Sequence, residues 1–122
     1  MLKFIEGLPQ DVLAIAALGK VTHEDYRVTL VPRAEAMMAH GPIRLLYVIG
    51  KEFIGFELEA LWDDGVFGLK HWHDFSQIAV VTDHAWLRAM VSMFKPFFFH
   101  GEVRLFPLSE LPAAKVWITE AR

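Results

Sequence analysis

Six histidines, fifteen carboxylates and three serines are the side chains of this sequence best suited to chemistry, and their spacing decides what they can do. His71 and His73, with Asp74, form the one cluster of metal-binding type, since imidazole and carboxylate are proper ligands and residues two apart on an extended segment share a side. A closed site needs a third or fourth ligand, which the spacing does not fix, and His71 near a helix end more simply complements the carbonyl dipole. No metal is expected. Asp63 and Asp64 are adjacent on a helical stretch, point ~100° apart and cannot share a proton as a dyad; their ordinary role is surface charge facing Lys70 or Arg88. Ser76, Ser92 and Ser109 lie in no Gly-x-Ser-x-Gly elbow, Ser109 reading as a helix cap and Ser92 as a polar helix position. Asp83 follows a strand and precedes a helix, which favours an N-cap. His23, His40, His84 and His100 fall near element ends as solvated or capping residues. With no Gly-x-Gly-x-x-Gly or Walker sequence, neither catalysis nor a cofactor is expected.

Composition narrows the partners. A chain of 122 residues fits a single domain, 1–122, with one core. The absence of cysteine excludes disulfides, thiolate metal sites and a cysteine nucleophile, and makes the cytoplasm the default compartment. A net charge of −3 argues against a general binder of phosphate backbones, so nucleic acid is not an expected partner. No apolar run reaches the ~20 residues of a bilayer span, and Lys3 and Glu6 interrupt any signal-like core at the start. The apolar share, 54%, exceeds the ~45–50% usual for soluble domains, so a surplus must go somewhere.

The elements that position these residues follow from periodicity. Leu2 to Glu6 reads as a short edge strand ended by Gly7 and Pro9. Val12 to Leu18, Ile43 to Ile49 and Gln77 to Thr82 are continuous apolar runs of strand length, the pattern of strands covered on both faces; Val103 to Phe106 is a fifth, less covered strand. Helical segments fill the gaps, giving an α/β chain with a mixed sheet. The first helix opens at Thr22 with Asp25 in a capping-box relation, is kinked or split at Pro32, and stops at Gly41 and Pro42. The second runs from about Phe56 to His71, with Leu58, Leu61, Trp62, Gly65 and Leu69 as its core stripe. The fourth begins after Ser109, with Pro112 in its first turn and Ala114 and Trp117 inward.

The surplus concentrates in the third helix. From His84 to Phe99, Trp86, Ala89, Met90 and Met93 form one stripe, and Leu87, Val91 and Phe94 widen it to roughly 200°, where about 100° suffices to pack on a sheet. On the second helix Phe56, Ala60 and Phe67 project opposite the core stripe. Phe56 and Phe67, with Leu87, Val91 and Phe94, therefore line a cleft between the two helices for a fatty or aromatic ligand, or press into a lipid surface. Packing on a twin in a dimer, or a shifted helix phase, is the ordinary alternative. Phe97, Phe98 and Phe99 follow Pro96 and belong to the loop before the fifth strand.

The segments Gly19-Lys20-Val21-Thr22 through Asp25-Tyr26, Trp62-Asp63-Asp64, Gly68-Leu69-Lys70-His71, Asp74-Phe75, Ile78-Ala79-Val80-Val81, Trp86 and Gly101-Glu102-Val103-Arg104-Leu105-Phe106 carry a resemblance. The chain resembles the small bacterial SpoIIAA-like proteins of the STAS superfamily over nearly its whole length. That resemblance implies a single STAS-like domain, a five-stranded mixed sheet with the first strand antiparallel, and about four helices wound as a right-handed β-α superhelix, close in shape to the CRAL-TRIO lipid-transfer domains. STAS anti-sigma-factor antagonists carry an Asp-Ser-Ser-Gly type turn after the third strand, where serine phosphorylation switches partner binding. Here that turn is Gly50-Lys51-Glu52-Phe53-Ile54-Gly55, with no hydroxyl, so a phosphoserine switch is not expected.

The sequence thus predicts a non-catalytic binding protein, cytoplasmic with or without peripheral membrane attachment. Its contact groups are Phe56, Phe67, Trp86, Leu87, Met90, Val91 and Phe94, with Lys70, Arg88 and Lys95 available for an acidic head. The partner is an apolar or lipid-like small molecule, a membrane surface or, alternatively, a second copy of the chain acting as a regulatory module.

Overall fold

The sheet is built from β1 (Leu2–Phe4), β2 (Val12–Val21), β3 (Ile43–Phe56), β4 (Phe75–Thr82) and β5 (Glu102–Phe106), side by side in chain order. β1 runs antiparallel to β2 and every other pairing is parallel. The computed structural model describes the backbone of residues 1–71, 74–98 and 102–120, and their side chains except at 61, 63–65, 68–69 and 94–98. The apolar runs in β2, β3 and β4 are continuous because both faces are covered. Leu13, Ile15, Tyr47, Ile49, Ile78 and Val80 face one layer, while Val12, Ala14, Leu46, Val48, Ala79 and Val81 face the other.

Three helices cover the first face: α1 (Val31–Met38), α2 (Leu58–Lys70) and α3 (Ala85–Phe98). On the second face α4 (Leu111–Thr119) buries Ala114, Trp117 and Ile118 against Ala14 and Ala79, small residues that let it lie close to the strands. The mixed α/β class, the antiparallel first strand and the four helices agree with expectation.

At the start of the first helical region, Thr22 and Asp25 form the reciprocal pair their spacing predicted. The Thr22 amide donates to Asp25 Oδ2 (2.8 Å) and the Asp25 amide to Thr22 Oγ1 (3.2 Å). The helical region is divided next to Pro32, as expected: a widened π-helical segment, Asp25–Leu30, gives way to α1, and Pro32 sits in the first turn of α1. The wide turn absorbs the missing amide hydrogen and the ring's clash with the preceding turn.

Four local expectations are corrected. Gly50 to Gly55 is no turn: β3 continues through it to Phe56, with bulges against β2 that begin after Ala17, where Gly19 takes φ +57°. Phe56 therefore ends a strand instead of opening α2. Asp83 does not cap α3; its Oδ1 accepts the Leu108 amide (3.0 Å), tying the end of β4 to the segment before α4. Ser109 caps nothing, because a 3-10 turn, Leu108–Glu110, precedes α4 without a side-chain cap. The backbone of α3 runs past Pro96 to Phe98, so Phe97 and Phe98 are helical; Phe99 and His100 lie outside the described residues.

Candidate functional site

Between the first sheet face and the underside of α2 and α3 lies a cavity of about 110 Å³. Thirteen described residues line it, and only Tyr47 among them carries a polar side-chain atom. The sheet supplies the floor, with Leu45, Ile78 and Val80; Phe67 from α2 and Leu87, Met90 and Val91 from α3 form the roof; Phe56 closes one side. The expected cleft between two helices is therefore a chamber beneath them.

The helix phases are the reverse of those expected. Phe67 is 9% exposed and Leu87 2%, and Ala60 is fully buried, so these residues face the sheet. Leu58 (84%) and Trp62 (74%), assigned to the core stripe of α2, face outward, as do Val66, Trp86, Ala89 and Met93. Both faces of α2 carry large apolar residues, so its periodicity alone does not choose the row that meets the sheet, and Phe56, expected on that helix, enters the chamber from the strand. Of the seven nominated contact residues, Phe56, Phe67, Leu87, Met90 and Val91 line the chamber. Trp86 stands at its edge, half exposed, with its ring edge-to-face on Phe56. The side chains of Phe94 and Lys95 are outside the described set, as are those of Leu61, Asp63, Asp64 and Leu69.

The bulged end of β3 makes the side wall. In a regular strand residues three apart face opposite ways, yet the rings of Phe53 and Phe56 meet at 4.8 Å, because the bulge at Ile54 and Gly55 turns both to one side. Phe53 also packs against the His84 ring, whose Nε2 lies 3.3 Å from the Gly50 carbonyl.

Polar groups stand at the margins. The Tyr47 hydroxyl lies 3.4 Å from that of Tyr26, a fully buried residue. His71 Nδ1 meets Asp74 Oδ2 at 2.7 Å, its Nε2 lies 3.4 Å from Glu35 Oε2 without hydrogen-bond geometry, and its ring stacks on Phe67 with centroids 4.6 Å apart. The two rings are tilted by 54°, so the imidazole packs against a roof residue of the chamber. His73 is outside the described residues, and among the described ones no group of three or more histidines and carboxylates could hold a metal ion. Lys70 pairs with Glu35 (3.4 Å) on the surface. Arg88 donates from Nη1 to the Thr82 carbonyl (3.1 Å).

Sequence reading missed the floor. Tyr47, Ile49 and Val80 alternate with residues facing α4, and that period of two, laid over two covered faces, was the available signal.

The family model described as SpoIIAA-like matches residues 12–119. The chain belongs to the SpoIIAA-like family. A crystal structure of an uncharacterised protein of the DUF3478 family from Shewanella loihica PV-4, with a SpoIIAA-like fold, superposes on this SpoIIAA-like chain with TM-score 0.75. The two are 31% identical, and the match covers 96% of this chain and 93% of that one. No curated protein matches the sequence. No helix among the described residues is long and apolar enough to cross a membrane.

Proposed function

We propose that this SpoIIAA-like protein is a non-catalytic binding protein whose chamber under α2 and α3 receives an apolar chain or ring. The observation that carries this reading is the chamber itself. Protein interiors are packed to crystal density, and an apolar void of ~150 Å³ lined by Leu, Ile and Phe stays dry and takes up benzene-sized guests. At about 110 Å³ the chamber here is of that order, and a longer ligand requires the roof to lift. Met90 and Val91 on that roof are only part-buried, which makes α3 the cheaper side to move. The exposed Trp86 and Met93 on the same helix would then touch a lipid surface while ligand is exchanged.

Native mass spectrometry of protein purified without detergent tests the reading. A retained apolar molecule, or uptake of added 1-octanol with one-to-one stoichiometry, is the expected result; failure to take up any apolar probe would overturn it.

A second reading rests on a different observation, the outward row of Leu58, Trp62 and Val66 on α2 beside Trp86 and Met93 on α3. Rows of this kind are covered in stable dimers. Light scattering at rising concentration separates the two: a monomer throughout removes self-association.

A further inference from the structure

Phe67 is the wall of two cavities at once. Its one side lines the inner chamber; its other lines a surface groove of about 280 Å³ between the π-helical segment with α1 and the outer flank of α2. Among the described residues, the groove's walls are Tyr26, Val31, Trp62, Val66 and Phe67, and the titratable side chains that line it, apart from the Tyr26 phenol, are His23, Arg27 and Lys70. The described lining is therefore basic, and each of these groups has a carboxylate near it that does not itself line the groove: Glu24 on Arg27, Glu35 on Lys70, and Glu59 at 4.0 Å from His23. Arg27 and Lys70 are 62% and 66% exposed, so their pairs are solvated, contribute little, and exchange readily for another anion.

We propose that this groove is the entrance to the chamber and seats the anionic head of a single-chain amphiphile, a fatty-acid-like carboxylate, whose tail passes Phe67 into the interior. The inference rests on the chamber being a ligand site and adds the class of ligand and its route. An apolar passage that ends in basic groups fits a molecule with one greasy end and one negative end. The chamber alone is too small for a long chain, so the remaining methylenes and the head lie in the groove, against Trp62 and Val66. Phe67 must swing for the tail to pass. The ring packs against the His71 imidazole, which Asp74 orients.

The test uses the full chain with octanoate and 1-octanol, which share a tail and differ in charge. Calorimetry at pH 7.5 is expected to show octanoate binding about tenfold tighter, the scale of one charge-assisted contact. In the double variant Arg27→Gln, Lys70→Gln the two probes should bind alike; both sites are exposed, so folding is not at risk. Equal binding of the two probes to the natural chain overturns the acidic-head assignment and leaves the chamber standing. A preference that survives the double variant overturns the groove as head site. Binding of neither probe overturns the chamber reading and this inference together.

The route has its own test, because the chain has no cysteine of its own. Trp62→Cys, labelled with a bulky maleimide, should slow octanoate association about tenfold in stopped-flow fluorescence, while the same label at Val116→Cys on the opposite layer leaves it unchanged. An unchanged rate at Trp62, or equal slowing at both positions, overturns the entrance.

Discussion

The rings of Phe56 and Trp86 meet edge to face, with centroids 6.5 Å apart and planes at 88°. Phe56 borders the chamber and Trp86 is half exposed, so this one contact joins the interior to the surface and the end of β3 to the first turn of α3. Aromatic pairs of this geometry contribute about 0.5–1.5 kcal/mol beyond burial. A double-mutant cycle of Phe56→Leu and Trp86→Leu in urea should give a coupling energy of that size. A coupling near zero would mean that α3 moves independently of the bulged strand.

Filling the chamber should abolish binding without unfolding the protein. Val91→Phe puts a ring into the void from a part-buried position, so the usual ~1–3 kcal/mol cost of overpacking should be largely offset by the space available. Thermal denaturation should show a small change in Tm, and affinity for 1-octanol should fall at least tenfold. By contrast Leu87→Ala, at a position 2% exposed, should cost about 2–5 kcal/mol.

The outward residues make the opposite prediction. Leu58→Ser, Trp62→Ser and Met93→Ser replace side chains 84%, 74% and 63% exposed, so each should shift stability by no more than about 0.5 kcal/mol. If these rows touch a membrane or a second copy, the triple variant loses co-flotation with anionic vesicles or the concentration dependence of its scattering. An unchanged result in both assays would leave the rows without a partner.

Acid should weaken the fold through two carboxylates. Burial pushes the Asp25 carboxyl up, but the Thr22 amide and hydroxyl and the chain's terminal ammonium outweigh it and hold it below the ordinary 3.8. The hydrogen bonds from the Arg44 guanidinium lower Asp11 in the same direction. A carboxyl with a lower pKa folded than unfolded stabilises the protein fully above its unfolded value and loses that contribution as pH falls through its folded value. Stability should therefore hold level near pH 5 and decline below about 4. In Asp25→Asn the decline should be shallower, with lower stability at neutral pH; urea midpoints across this range are the measurement.

Legibility divided along physical lines. The strands were readable because a buried parallel strand needs an uninterrupted apolar run, and Thr22 with Asp25 declared the first helix by a spacing that has few other uses. What failed was phase. On α2 both faces carry large apolar residues, Ala60 and Phe67 within and Leu58, Trp62 and Val66 without, so periodicity could not say which row faced the sheet. Packing of Ala60 and Phe67 on the sheet face decides it, a tertiary contact that the period of one segment does not carry. The surplus of apolar residues was therefore read correctly in amount and wrongly in identity. Four nominated helix residues, Phe67, Leu87, Met90 and Val91, still line the chamber because both sides of these helices are apolar, and Phe56 joins them from the end of β3.

Strand neighbours in this sheet are also neighbours along the chain. Each strand is separated from the one it joins by no more than one helical crossover or a short turn. Loop closure at each step is accordingly modest, and none of the five has to wait for a distant segment before pairing. Pairing between chain neighbours, step by step, is the folding mode such an arrangement favours.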